Sequence, residues 1–106
     1  MTEFKTNKVG MIDLDYAAGF IDADGCISCW KQGKYTYWEV NAVQSIKNGN
    51  EPLVAMQERW GGCLSKSKVG MWKWSVKGIE AAVVLQDIYF KLVIKKDKAT
   101  QALEHF

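Results

Sequence analysis

Long apolar runs are missing from this 106-residue chain. No stretch reaches the roughly 18 apolar residues that a membrane-spanning helix needs, so no membrane contact is expected. The first ten residues, MTEFKTNKVG, lack the apolar segment of a secretory leader. Cysteine is sparse and odd in number, with Cys26, Cys29 and Cys63 alone, and this points to free thiols in a reducing compartment. The expectation is a soluble intracellular protein that is not secreted. Histidine occurs once, at His105. A zinc site built on the C-x-x-C at Cys26 and Cys29 would have only Cys63 and His105 to complete it. Positions i and i+3 of a strand also point to opposite faces. A redox C-x-x-C normally opens a helix, whereas this one follows one. There is no glycine-rich phosphate loop, HExxH or Ser-His-Asp order, and no linker or low-complexity tract. Residues 1–106 therefore read as one domain.

What is present is unevenly spread. The formal net charge is only +2. Residues 1–25 set Lys5 and Lys8 against five acids, whereas residues 26–77 set seven lysines and Arg59 against Glu39, Glu51 and Glu58. The basic excess falls in the strand-like middle of the chain, next to an acidic helix end. That pairing suits a phosphate-binding surface beside a metal site, although charge alone leaves plain solvation open.

The hydrophobic pattern predicts a regular order of elements. Asp13 N-caps a helix from about Leu14 to Asp24, with Gly25 as the residue after its end. CISCWKQ (26–32) and TYWEVNAVQS (36–45) form a hairpin. Asn50 caps a helix over EPLVAMQERW, with Pro52 tolerated in its first turn. GGCLSKSK and MWKWSVK form a second hairpin, GIEAAVVLQDIYFKL an amphipathic helix, and KKDKATQALEHF a shorter one. Helices are expected on one face of a four-stranded antiparallel sheet, leaving the other face open. Alternation puts Trp72, Trp74 and Val76 with Leu64 on one side, and Trp38, Val40, Ala42 and Gln44 together. Lys73, Ser65 and Ser67 share the other side, as do Tyr35, Tyr37, Glu39, Asn41 and Val43. Such a polar face can read base edges in a major groove. The pattern alone leaves a merely wet face equally open.

One stretch is hard to explain by folding alone. AAGFIDADG, at 17–25, puts Asp22 and Asp24 in the last turn of a helix, where the dipole disfavours a carboxylate by about 0.3–1 kcal/mol. An outside counter-charge such as a metal ion would offset this. The stretch closely resembles the signature word of the LAGLIDADG homing endonucleases, departing from it only at Ala17 and Phe20, both apolar exchanges. The resemblance continues through a hairpin ending near Gln44, a helix closing on WGG, a second hairpin ending WKWSVKG and a helix leading to LVIKKDKA. It implies an α+β fold of order αββαββα(α), with helices on one face of a saddle-shaped antiparallel sheet that sits over DNA. The implied activity is site-specific hydrolysis of both strands of a long, pseudo-palindromic double-stranded DNA site, as in intron homing. The implied cofactor is Mg²⁺, with Mn²⁺ or Ca²⁺ able to take its place. The alternative is a DNA- or RNA-binding module of the same fold that does not cut, such as a maturase or a regulator.

A single copy of the motif resembles the homodimeric class of that family. Small residues bare one helix surface, and close packing of two such helices is argued by analogy with membrane pairs. The expected interface is Leu14, Ala17, Ala18, Gly19, Ile21, Asp22 and Ala23. Asp22 and Asp24 lie about 200° apart around the helix, so only one of them faces a given ion. The resemblance gives that role to Asp24, with the backbone carbonyl of Ala23 as a further oxygen, and leaves Asp22 to bond nearby backbone. It also implies Lys95 beside the scissile phosphate or attacking water, a role that passes to Lys96 if the register shifts by one, and Gln44 ordering water. The expected DNA-binding set is Ser28, Trp30, Gln32, Lys34, Tyr35, Tyr37, Glu39, Asn41, Lys47, Ser65, Lys66, Ser67, Lys68, Lys73 and Ser75.

Overall fold

A computed structural model describes residues 12–45, 49–67 and 70–105. It has an α+β fold, with elements in the order α1 (Leu14–Asp24), β1 (Gly25–Gln32), β2 (Tyr35–Ser45), α2 (Glu51–Trp60), β3 (Cys63–Lys66), β4 (Met71–Lys77), α3 (Ile79–Ile88) and α4 (Lys96–His105). A short 3₁₀ turn, Tyr89–Lys91, follows α3. The strands form one antiparallel sheet in the order β1-β2-β4-β3. Among the described residues no helix is long and apolar enough to cross a membrane.

Local chemistry explains the first helix. The Asp13 carboxylate accepts from the amides of Asp15 (2.8 Å) and Tyr16 (3.2 Å), satisfying two donors that the helix itself cannot. Below that cap, Ala17, Ala18 and Ile21 are fully buried. They pack into a core with the inner faces of the strands (Ile27, Trp38, Val40, Ala42, Trp74, Val76) and with Leu53, Met56, Val84, Leu85 and Ile88. The strand register settles which residues share a face. Ala42 lies opposite both Gly25 and Trp74, and Leu64 lies opposite Trp74, so the helices cover that side.

Three local expectations are corrected, and Gly25 follows α1 in extended backbone (φ −103°). It is glycine because a Cβ there would sit 2.7 Å from the Asn41 carbonyl and 2.8 Å from the Ile21 backbone. Asn50 precedes α2 but its side chain makes no capping bond. β3 is only four residues long, because Gly61 and Gly62 turn the chain with φ of 79° and 99° before it can pair. The helix expected over 78–92 ends at Ile88, and the chain tightens through the 3₁₀ turn so that Leu92 is buried while Val93 and Ile94 face outward.

Candidate nucleic-acid interface and catalytic end

The face of the sheet away from the helices carries Ser28, Trp30 and Gln32 from β1, Tyr35, Tyr37, Glu39 and Asn41 from β2, Lys73 and Ser75 from β4 and Ser65 from β3. Its centre is organised rather than merely wet. Asn41 donates to the Glu39 carboxylate at 3.0 Å, and Lys73 approaches the same carboxylate at 3.8 Å. Glu39 thereby fixes two donors that can address base edges or phosphates. Ser67 closes the second hairpin through its backbone and hydroxyl contacts with Met71. Lys34 sits in the first hairpin turn, its ammonium 5.5 Å from the Tyr35 ring centroid. Lys66 departs from the expected set. It lies opposite Trp72, on the helix side, with its ammonium 6.0 Å from that ring. Lys47 and Lys68 lie outside the described residues.

At one end of this surface, β1 leaves α1 directly. Asp22 and Asp24 diverge as the helical period requires. Asp22 is 9% exposed, and its carboxylate accepts from the backbone amides of Val93 (2.7 Å) and Lys95 (3.0 Å). The Lys95 ammonium in turn donates to the Asp22 carbonyl, one of the orphan carbonyls of the helix end. Lys95 therefore supplies the positive charge that the last turn of α1 lacks. Asp24 is exposed and has no hydrogen-bond or ion-pair partner among the described residues. Gln44 is half-buried on the helix side of β2, opposite Trp72 and two residues beyond Ala42, the partner of Gly25. Lys95 thus reaches the end of α1 that carries Asp24, and Gln44 lies two residues past the strand partner of Gly25, the residue that follows that helix.

Architecture of this kind is found in solved homing endonucleases. I-CvuI, in complex with its target in the presence of Ca, is 26% identical with a TM-score of 0.76, over 86% of this chain and 63% of that one. I-TnaI is 18% identical with a TM-score of 0.63, over 89% of this chain and 73% of that one. The LAGLIDADG endonuclease I-SmaMI, bound to cleaved DNA, is 19% identical with a TM-score of 0.66, over 88% of this chain and 36% of that one. The chain has the LAGLIDADG homing endonuclease fold. It spans 63% of the length of I-CvuI. No protein-family model and no curated protein sequence matches it.

Within the LAGLIDADG helix, the expected interface is corrected in part. Ala17, Ala18 and Ile21 are fully buried in the chain's own core, and Asp22, 9% exposed, turns its carboxylate to the backbone of Val93 and Lys95. Gly19 and Ala23 are exposed, Leu14 is half-buried, and a Cβ built on Gly19 meets nothing within 4 Å. Beside this outward stripe lie Phe90, Val93 and Ile94, which are 87%, 81% and 75% exposed. Sequence reasoning missed them because the run IYFKLVI looked like the end of an amphipathic helix. It also missed Lys77, which the register places opposite Glu39 on the open face. Continuing the alternation one step past Ser75 would have found it. Cys26 and Cys29 do fall on opposite faces, opposite Asn41 and Trp38, and all three cysteines are free.

The donor chemistry at the helix end fits a hard divalent cation, though incompletely. Asp24 and the Ala23 carbonyl offer oxygen ligands of the kind Mg²⁺ prefers. No group of three His, Cys, Asp or Glu residues able to hold a metal occurs among the described residues. Further ligands have to come from water, phosphate or another chain.

Proposed function

We propose that this chain is one half of a homodimeric, metal-dependent DNA endonuclease that cuts both strands of a long, pseudo-palindromic site. The observation that carries this reading is Asp24, an exposed carboxylate at the negative end of α1 with no partner among the described residues. The last turn of that helix holds the Lys95 ammonium at the Asp22 carbonyl, and the open polar sheet leads away from it. Two copies joined through the Gly19 and Ala23 stripe would bring both Asp24 carboxylates together. The exposed Phe90, Val93 and Ile94 would extend that contact, because apolar surface of this kind favours association.

The roles of the chain's own groups follow from their chemistry. Paired Asp24 side chains and Ala23 carbonyls would hold the cation, which when bound supplies Lewis acidity and a lowered pKa for water. Asp22 fixes the loop before α4, so the Lys95 ammonium stays at the helix end, where it can neutralise charge on a phosphate. Gln44 offers an amide that can orient water. Glu39, Asn41, Lys73 and Ser75 contact the duplex, the lysine through phosphate and the others through base edges.

The test is to incubate the protein with randomised duplex DNA and Mg²⁺ and to sequence the cut ends. Recurrent ends with approximate two-fold symmetry, absent for Asp24→Asn, support the reading. Tight duplex binding with no cut ends would leave a non-cleaving module of the same fold.

A further inference from the structure

The hairpin end of the open sheet carries three exposed aromatic rings. Trp30 and Tyr37 lie directly opposite each other across β1 and β2, with ring centroids 5.6 Å apart and planes 24° from parallel. Tyr37 also meets Tyr35 at 6.4 Å and 47°. Trp30 and Tyr37 are each 38% exposed and Tyr35 is 58% exposed. Lysines lie over the outer members of this ladder. Lys34 Nζ is 5.5 Å from the Tyr35 centroid, and Lys77 Nζ is 5.8 Å from the Trp30 centroid. Neither lysine forms an ion pair among the described residues.

This arrangement selects among nucleic-acid ligands. An unpaired base binds by stacking on a free aromatic face. Here Trp30 and Tyr37 are stacked on each other, and ammonium groups lie over Trp30 and Tyr35, so what the ladder offers outward is mostly ring edge. A duplex presents no base faces. In its major groove the distinctive apolar group is the thymine 5-methyl. We propose that the Trp30–Tyr37–Tyr35 ladder reads thymine methyl groups in the outer part of each half-site, with Lys34 and Lys77 meeting the flanking phosphates. This rests on the duplex-binding reading above. The position follows from the strand. Trp30 is five residues beyond Gly25, about 17 Å at the usual strand rise. That distance corresponds to about five base pairs outward from Asp24.

The experiment uses the intact chain and the duplex it selects most strongly from a randomised pool. Each thymine of that duplex is replaced in turn by deoxyuridine, which removes only the methyl group. The expected result is binding weaker by about three- to fivefold at one or two positions in each half, about five or more base pairs from the centre, with the remaining positions unaffected. Trp30→Ala and Tyr37→Ala should abolish that dependence. The scan with the unaltered chain decides the matter even where a variant folds poorly. Tight duplex binding that ignores every replacement overturns the methyl reading alone, as do selected sites without thymine in the outer positions. Tighter binding to either single strand than to the duplex overturns it in favour of a stacking platform. Failure to bind any duplex removes the endonuclease reading together with this one.

Discussion

At the scale of single residues, the helix end divides two adjacent-looking carboxylates into different tasks. Asp22 is consumed by structure, because it satisfies the amides of Val93 and Lys95 in a buried setting. Asp22→Ala should therefore lower stability by about 1–3 kcal/mol in urea melts, since two part-buried amides lose a charged acceptor. Asp24 has no hydrogen-bond or ion-pair partner among the described residues, so Asp24→Asn should leave the urea midpoint and DNA affinity nearly unchanged. Its cleavage rate should fall by more than the roughly 10–100-fold that outer-shell changes cost at metal sites. Comparable cutting by Asp24→Asn would remove that residue from the mechanism. The lysines separate in the same way. Lys95 donates to the Asp22 carbonyl, whereas the Lys98 ammonium lies 5.7 Å from the Trp38 ring on the helix side. Single-turnover cleavage of bound DNA should slow by on the order of a hundredfold in Lys95→Met and hardly at all in Lys98→Met. A sensitive Lys98 would show that the catalytic charge enters from elsewhere.

At the scale of elements, the parts of the fold that were legible in sequence are those governed by period and capping. The α1 boundaries follow from the Asp13 cap, and the faces of β2 and β4 follow from strict alternation. The illegible parts depend on contacts between distant segments. Nothing near Gly25 announces that the Asn41 carbonyl will pass 2.7 Å from where a Cβ would stand. Nothing near Tyr89 shows that Asp22 will claim the amides beyond it and so end the helical run early. The proposed roles of Asp24, Gln44 and Lys95 rest on resemblance for the same reason, since nothing local to any of the three shows that the Lys95 ammonium will reach the end of α1. Gly62 gives this an energetic check. Its φ is 99°, and a Cβ there would lie 2.4 Å from the Ser75 carbonyl. Gly62→Ala should cost about 1–3 kcal/mol through backbone strain where α2 enters β3. An unchanged urea midpoint would mean that this turn relaxes without resistance.

At the scale of the whole molecule, a basic sheet with one helix stripe left bare makes sense as half of a larger object. The chain measures 43 × 33 × 23 Å, so two copies laid along the 33 Å axis cover about 20 base pairs at 3.4 Å each. If such a pair neutralises about six to ten phosphates, affinity should fall by about 10³–10⁵ between 50 and 200 mM salt. A flat salt response in an equilibrium titration would contradict the nucleic-acid reading. Two-fold symmetry in the protein then requires approximate two-fold symmetry in the site. The dimer itself can be tested without disturbing the fold, because a side chain at Gly19 meets nothing within the chain. Gly19→Leu should leave the urea midpoint within about 0.5 kcal/mol of the parent, as for an ordinary surface change. In a second copy the same leucine would wedge the paired helices apart and separate the Asp24 carboxylates. Sedimentation at micromolar concentration should then show a dimer for the parent and a monomer for the variant, with cleavage lost alongside. A parent that stays monomeric both free and on DNA, or a Gly19→Leu chain that still dimerises and cuts, would place the partner surface elsewhere on the molecule.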